Sequence, residues 1–151
     1  EAARVAKDLL KPDGFALTLQ NGIGNVEKLV AELGQSRVIA GVTMNSGALP
    51  EPGRAAYTNA GITSIGELDG RTTPRLEEVA RMLNQAGIET RIVPDPMAEI
   101  WTKFVLNCAI NSLTAATGLR GTAVTRLFID PAIDPDSGDV HGQILRLAPL
   151  A

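Results

Sequence analysis

Lys103, Asn107 and Asn111 follow one another at i, i+4 and i+8. On an α-helix that spacing makes one slowly drifting row. The row offers a fixed positive charge, able to hold or protonate an oxygen, and two neutral amides for directed hydrogen bonds. A plain solvent face would carry Glu, Lys, Arg or Gln instead, because Asn inside a helix costs several tenths of a kcal/mol against Ala. Two readings fit the pattern, a site row and a partly exposed polar stripe, and periodicity alone does not choose between them.

The helix that must carry this row reads from Asp95-Pro96 to Thr117, an N-cap followed by proline at the first helical position. Met97, Ile100, Trp101, Phe104, Val105, Leu106, Ala109, Ile110 and Leu113 cover most of its other directions. A helix apolar nearly all round predicts burial. Trp101 and Phe104 are read as packing residues, and Cys108 as a small buried hydrophobe.

Ahead of this helix, strands alternate with helices, which predicts an α/β architecture with an at least partly parallel sheet. Residues 1–10 read as the end of a helix, Lys11-Pro12-Asp13-Gly14 as a turn, and 15–20 as a short covered strand. A helix follows over 25–33, capped by Asn25 and closed by Gly34. Arg37 to Asn45 is an apolar, β-branched strand; 46–53 reads as a loop rich in Gly and Pro. Residues 54–58 and 62–67 read as strands, 74–85 as a helix behind the Thr73-Pro74 cap, and 88–93 as a last strand. A turn and a short helix are expected over 117–128. From Ile129 the chain turns to Asp, Pro, Gly and Ser, the chemistry of a linker tail.

Between the first strand and the second helix lies Asn21-Gly22-Ile23-Gly24-Asn25-Val26-Glu27. It begins like the dinucleotide fingerprint G-x-G-x-x-G and sits in the right context. The third glycine, however, is Glu27, whose carboxylate would repel a pyrophosphate. The glycines are therefore read as a tight turn needing positive φ. Asn21 stands beyond a strand's carboxyl end, where doubly wound sheets bind ligands, and can offer its amide there.

The 151 residues carry 14 Lys+Arg against 17 Asp+Glu, with no basic run, which argues against a nucleic-acid partner. No apolar stretch approaches the ~18 residues that span a bilayer. The single cysteine excludes an internal disulfide and fits a reducing, cytoplasmic setting. No Cys/His set has metal-ligand spacing. His141, the one histidine, lies in the tail, so it is a poor candidate for catalysis.

Two separated motifs occur in order: Asn21-Gly22-Ile23-Gly24-Asn25, then Trp101-Thr102-Lys103 through Asn107 to Asn111 and Ala115. Between them fall Gly41-Val42-Thr43, Gly47-Ala48, Pro52-Gly53, Ile65-Gly66-Glu67 and Ala86-Gly87. Together these resemble the ketopantoate reductase (2-dehydropantoate 2-reductase) family over roughly residues 1–128. The K-x-x-x-N pair alone would also suit other β-hydroxyacid dehydrogenases of the same two-domain plan.

The resemblance implies a C-terminal part of a Rossmann-like NADP-binding domain over 1–94. The start of an all-α substrate domain, like the C-terminal domain of 6-phosphogluconate dehydrogenase, follows over 95–130, and a divergent tail over 131–151. It implies NADPH as cofactor, a small 2-keto acid as partner, and reduction of 2-dehydropantoate to pantoate on the way to pantothenate and coenzyme A. By similarity Lys103 is the proton donor, Asn107 and Asn111 bind substrate, Asn21 lies near nicotinamide and substrate, and Gly47 gives the cofactor a backbone contact. No metal is expected.

The chain departs from the family in three places. The phosphate-binding unit with the full glycine fingerprint lies outside it, Gly118-Leu119-Arg120-Gly121 stands where the family often has Asn-Gly, and the later Ser- and Glu-bearing helices have no counterpart. These 151 residues are thus expected to be a fragment that neither grips NADPH tightly nor turns over alone. Its open sheet edge predicts self-association into a homo-oligomer. Glu99, one turn before Lys103, is placed to pair with it. Two alternatives remain, another 2-keto or β-hydroxyacid reductase and a non-catalytic truncated remnant.

Overall fold

Thr73 and Asp95 start the two longest helices by the same device. Thr73 Oγ1 accepts from the Leu76 amide and Asp95 from the Ala98 amide, each just ahead of a proline that needs no donor partner. A computed structural model of the chain describes residues 2–119. Its helices are α1 (Ala2–Leu9), α2 (Asn25–Leu33), α3 (Pro74–Gln85) and α4 (Pro96–Thr117). Its strands are β1 (Ala16–Thr18), β2 (Val38–Thr43), β3 (Ser46–Glu51), β4 (Arg54–Asn59), β5 (Thr63–Glu67) and β6 (Thr90–Ile92).

The main sheet has the order β1-β2-β5-β6. β1 runs parallel to β2, β2 antiparallel to β5, and β5 parallel to β6. The chain is therefore α/β with a mixed, parallel-rich sheet, as the alternation of strands and helices implied. β2 is the axis. Val38, Ala40 and Val42 pack with Val26 and Leu33 of α2 and Ile100 of α4. Ile39 faces the other way, with Ile65 of β5 and Leu76 and Ala80 of α3. A strand covered on both faces needs the unbroken apolar run seen in its sequence. Gly41 belongs to the same logic, since a Cβ there would stand 2.5 Å from the Ser64 carbonyl oxygen.

Two local expectations are corrected. The stretch 46–53 is not a plain loop: Ser46–Glu51 pairs with Arg54–Asn59 as an antiparallel hairpin, β3–β4, with Gly53 in its turn at φ 81°. Both strands are exposed nearly throughout, so no apolar alternation marked them. Asn25 is the first residue of α2, not its cap. Gly24 holds the cap position in the left-handed region at φ 87°, and Asn25 Nδ2 donates back to the Asn21 carbonyl oxygen at 3.2 Å.

α4 is buried only at Pro96 and Ile100. Trp101 is 47% and Val105 63% exposed, and Cys108 is exposed rather than buried. Apolar composition called for a covering layer, and within residues 2–119 only the sheet supplies one, beneath the first turns. Trp101 and Phe104 pack against each other edge to face, with centroids 5.8 Å apart. Residues 120–128, the tail and His141 lie outside the described residues.

Candidate active site at the carboxyl end of β2

α4 crosses the sheet from one end to the other. It begins beside Gly66, where a Cβ would meet Pro96 at 2.9 Å, and reaches the opposite end of β2 at Lys103. There the Lys103 ammonium donates to the Thr43 carbonyl oxygen, the last of the strand. Burial of the half-buried side chain holds its pKa below the ordinary lysine value. The carbonyl uses one of three N–H bonds and leaves two to address a ligand oxygen.

Glu99 does not pair with this ammonium. Its carboxylate is taken by Arg91 of β6 at 3.2 Å, while Arg91 Nε donates to Ser64 Oγ at 2.9 Å. Arg91 Nη2 alone spans both carboxylate oxygens, and the Ser64 bond on Nε fixes the guanidinium there, so Glu99 is engaged away from Lys103. Lys103 is thus held by a neutral oxygen rather than by a counter-charge.

The same end of the sheet collects the other predicted residues unevenly. β1 parallels β2, so Asn21, in the turn after β1, lies at this end, and it is exposed. Asn107 is half-buried and Asn111 exposed, stepping outward along α4 by about 6 Å per four residues. Gly47 lies in β3 at the root of the hairpin, opposite Tyr57 and exposed. Lys103 thus meets the segment 43–47 at its first residue and Gly47 closes it, while Asn107 and Asn111 lie further along α4.

A polar cluster that the sequence reading missed underlies Lys103. Thr43 Oγ1 and Thr63 Oγ1 are 2.8 Å apart, and Asn45 Nδ2 donates to both, at 2.8 and 3.2 Å. Asn45 Oδ1 accepts from the Gly61 amide at 3.1 Å and from the Tyr57 hydroxyl. Only the Thr43–Thr63 strand register brings these residues together, and a single sequence carries no signal for it.

Gly22 and Gly24 adopt φ of 86° and 87°, as the turn reading required. A Cβ at either would meet nothing within 4 Å, so conformation rather than close packing demands glycine there. Glu27 is exposed in the first turn of α2. This loop is not a phosphate cradle. Among the described residues no group of three or more His, Cys, Asp and Glu is arranged to hold a metal ion, and no helix is long and apolar enough to cross a membrane.

A family model described as ketopantoate reductase PanE/ApbA matches residues 1–70. The 2-dehydropantoate 2-reductase of Pyrococcus horikoshii is 39% identical over 124 residues, covering 82% of this chain and 40% of that protein. That of Archaeoglobus fulgidus is 39% identical over 123 residues, covering 81% and 41%. The crystal structure of 2-dehydropantoate 2-reductase from Geobacter metallireducens superposes with a TM-score of 0.72 at 32% identity, over 94% of this chain and 45% of that one. D-mandelate dehydrogenase, in a ternary structure with NADH and anilino(oxo)acetate, matches in fold at a TM-score of 0.73 and 20% identity, over 82% and 40%. The chain spans about 40% of the length of the curated relatives it matches. On sequence and fold together, the chain belongs to the ketopantoate reductase family.

Proposed function

We propose that this chain carries the proton-donating side of an NADPH-dependent 2-keto acid reductase whose substrate is 2-dehydropantoate. The observation that carries the reading is the half-buried Lys103 ammonium, held on the Thr43 carbonyl with no carboxylate among the described residues on it. The names of the relatives support the substrate. The bound dinucleotide would supply a hydride to the keto carbon. Negative charge then grows on the keto oxygen, and the Lys103 ammonium both stabilises that charge and gives up its proton. A lysine pKa lowered by burial makes the ammonium a stronger acid, suited to that transfer.

Asn107 and Asn111 then hold substrate oxygens, Asn21 meets nicotinamide and substrate, and Gly47 offers backbone to the cofactor. Residues 1–94 act as part of the nucleotide-binding unit, and α4 opens the helical unit that carries the substrate. Placement of the row at the carboxyl end of β2 and β1, where such sheets bind ligands, supports this division.

The test is a substrate and cofactor panel on the full-length protein that carries this sequence. The expected result is turnover of 2-dehydropantoate well above other 2-keto acids, and with NADPH above NADH. Faster turnover of a different 2-keto acid would move the assignment to another reductase of the family, and turnover of none would leave a non-catalytic remnant.

A further inference from the structure

Three features remain once Lys103 and its row are accounted for. The outer face of α4 is apolar, but nothing in the structure indicates what would cover it. A cavity of about 340 Å³ lies at the far end of the sheet, lined by Glu67, Asp69, Arg71, Thr73 and Arg75 among others. Its charges are already spent on each other: Arg75 on Glu67 at 2.6 Å and Arg71 on Asp69 at 2.6 Å. The third feature is Asn45.

Asn45 follows β2 by two residues and is half-buried. All four hydrogen-bonding positions of its amide are filled: Nδ2 by Thr43 and Thr63, Oδ1 by Gly61 and Tyr57. Its backbone amide also donates to Thr43 Oγ1, at 3.2 Å. The side chain therefore ties together the end of β2, the approach to β5 and the hairpin strand β4. Thr43 receives three of these contacts through its hydroxyl, counting that of Thr63, and its carbonyl is the seat of Lys103. No ligand-facing role is needed to explain Asn45, and its position is too well satisfied to be incidental.

We infer that Asn45 is a positioning residue for the proton donor: through the Thr43 and Thr63 hydroxyls it braces the end of β2 whose Thr43 carbonyl seats the Lys103 ammonium, and it couples that seat to the β3–β4 hairpin through Tyr57. The inference rests on the reading of Lys103 as proton donor. Only the amide suits the place. A carboxylate would lose both Nδ2 donors and bring a negative charge beside the ammonium. Loss of the side chain would leave the Thr43 hydroxyl with Thr63 and the Asn45 backbone amide, but would cut the tie from Thr43 and Thr63 to Gly61 and Tyr57, so that the end of β2 under the ammonium is held by the β2–β5 ladder alone and can shift away from where charge develops. Among the described residues, the charged and titratable groups on the elements around Lys103 are Glu99 on its own helix, Arg91 on β6 and Tyr57 on β4. The first two engage each other and the third engages Asn45.

The test compares Asn45→Ala, Asn45→Gln and Tyr57→Phe with the parent in the full-length protein. Misplacing the donor predicts kcat down about 10- to 100-fold in Asn45→Ala with the KM for the keto acid little changed. The basic limb of the pH–rate profile should move upward as the ammonium regains water, and Asn45→Gln should recover part of both. Tyr57→Phe removes one bond and should show the same signs at about 2- to 10-fold. A merely structural role would lower the melting temperature and leave the basic limb in place, which would overturn the inference. If Asn45→Ala does not fold, the Tyr57→Phe profile decides alone: a moved limb supports the inference and an unmoved limb overturns it. Side-chain NMR titration of Lys103 in the same variants reads its pKa without turnover. An upward shift upholds the positioning role, and an unchanged value refutes it, even where Lys103→Ala retains activity and the functional reading falls.

Discussion

The two ends of β2 and β5 show opposite treatments of charge. At the Glu67 end the buried carboxylate is fully paired. Glu67 is only 5% exposed, and Arg75 Nε and Nη2 meet its two carboxylate oxygens at 2.8 and 2.6 Å, with Thr73 Oγ1 donating at 2.5 Å. The same Arg75 caps the Ser36 carbonyl at 2.6 Å and lies 5.2 Å over the Phe15 ring, so one side chain links α3, β5 and the entry to β2. At the Thr43 end, 24 residues along the chain from Glu67, a half-buried ammonium rests, among the described residues, on neutral oxygen alone. A buried charge that is fully paired holds structure together. One that is desolvated and left with free donors is available to a ligand. The fold thus separates an end where a paired carboxylate anchors α3 from an end where an ammonium rests on a strand carbonyl, the end to which the proposed chemistry is assigned.

The contrast can be broken at either end. Glu67→Ala should cost about 2–3 kcal/mol, read as a fall in the denaturation midpoint; this is below the cost for a wholly buried pair because the Arg75 side chain is 29% exposed. Acid should act through the same group. The hydrogen bond from the Arg75 guanidinium, foremost, holds the Glu67 carboxyl below its ordinary value of 4.5. Its stabilisation is then fully present above about pH 4.5 and is lost as pH falls through the folded-state pKa; the slope of stability against pH there should flatten in Glu67→Ala.

A smaller effect sharpens the other end. Glu99→Gln removes an ion pair whose arginine side is 52% exposed, so stability should change by less than about 1 kcal/mol. Because Lys103 does not use that carboxylate, the basic limb of the pH–rate profile should stay in place. A limb that moves would show that Glu99 turns from Arg91 to the ammonium in the working protein.

The sequence disclosed the elements better than their meetings. α2 and α3 were readable to within about a residue, the cap of α2 apart, because Gly34, Thr73-Pro74 and the apolar spacing are local signals. β2 was readable because burial on both faces leaves an unbroken apolar run. β3 was not, since Ser46-Gly47-Ala48-Leu49-Pro50-Glu51 is written in loop residues and only its pairing with β4 makes it a strand. The row of Lys103, Asn107 and Asn111 was visible from spacing, whereas its seat was not. The contact of Lys103 with Thr43 spans 60 residues, and that of Asn45 with Thr63 spans 18. Glu99 shows the same limit: one turn from Lys103 it looked like a partner, and only the placement of β6 gives it to Arg91. Cys108 and Val105 show the converse, apolar residues whose burial depends on a neighbour that local pattern cannot supply.

The measurement that bears most directly on the Thr43 end is Lys103→Ala in the full-length protein, with kcat on 2-dehydropantoate and NADPH affinity read side by side. The account predicts kcat lower by about 10²–10³, the equivalent of about 2.7–4 kcal/mol of lost transition-state stabilisation, with NADPH affinity within a few-fold of the parent. Unchanged turnover would contradict it and return the row to a polar stripe on an exposed helix.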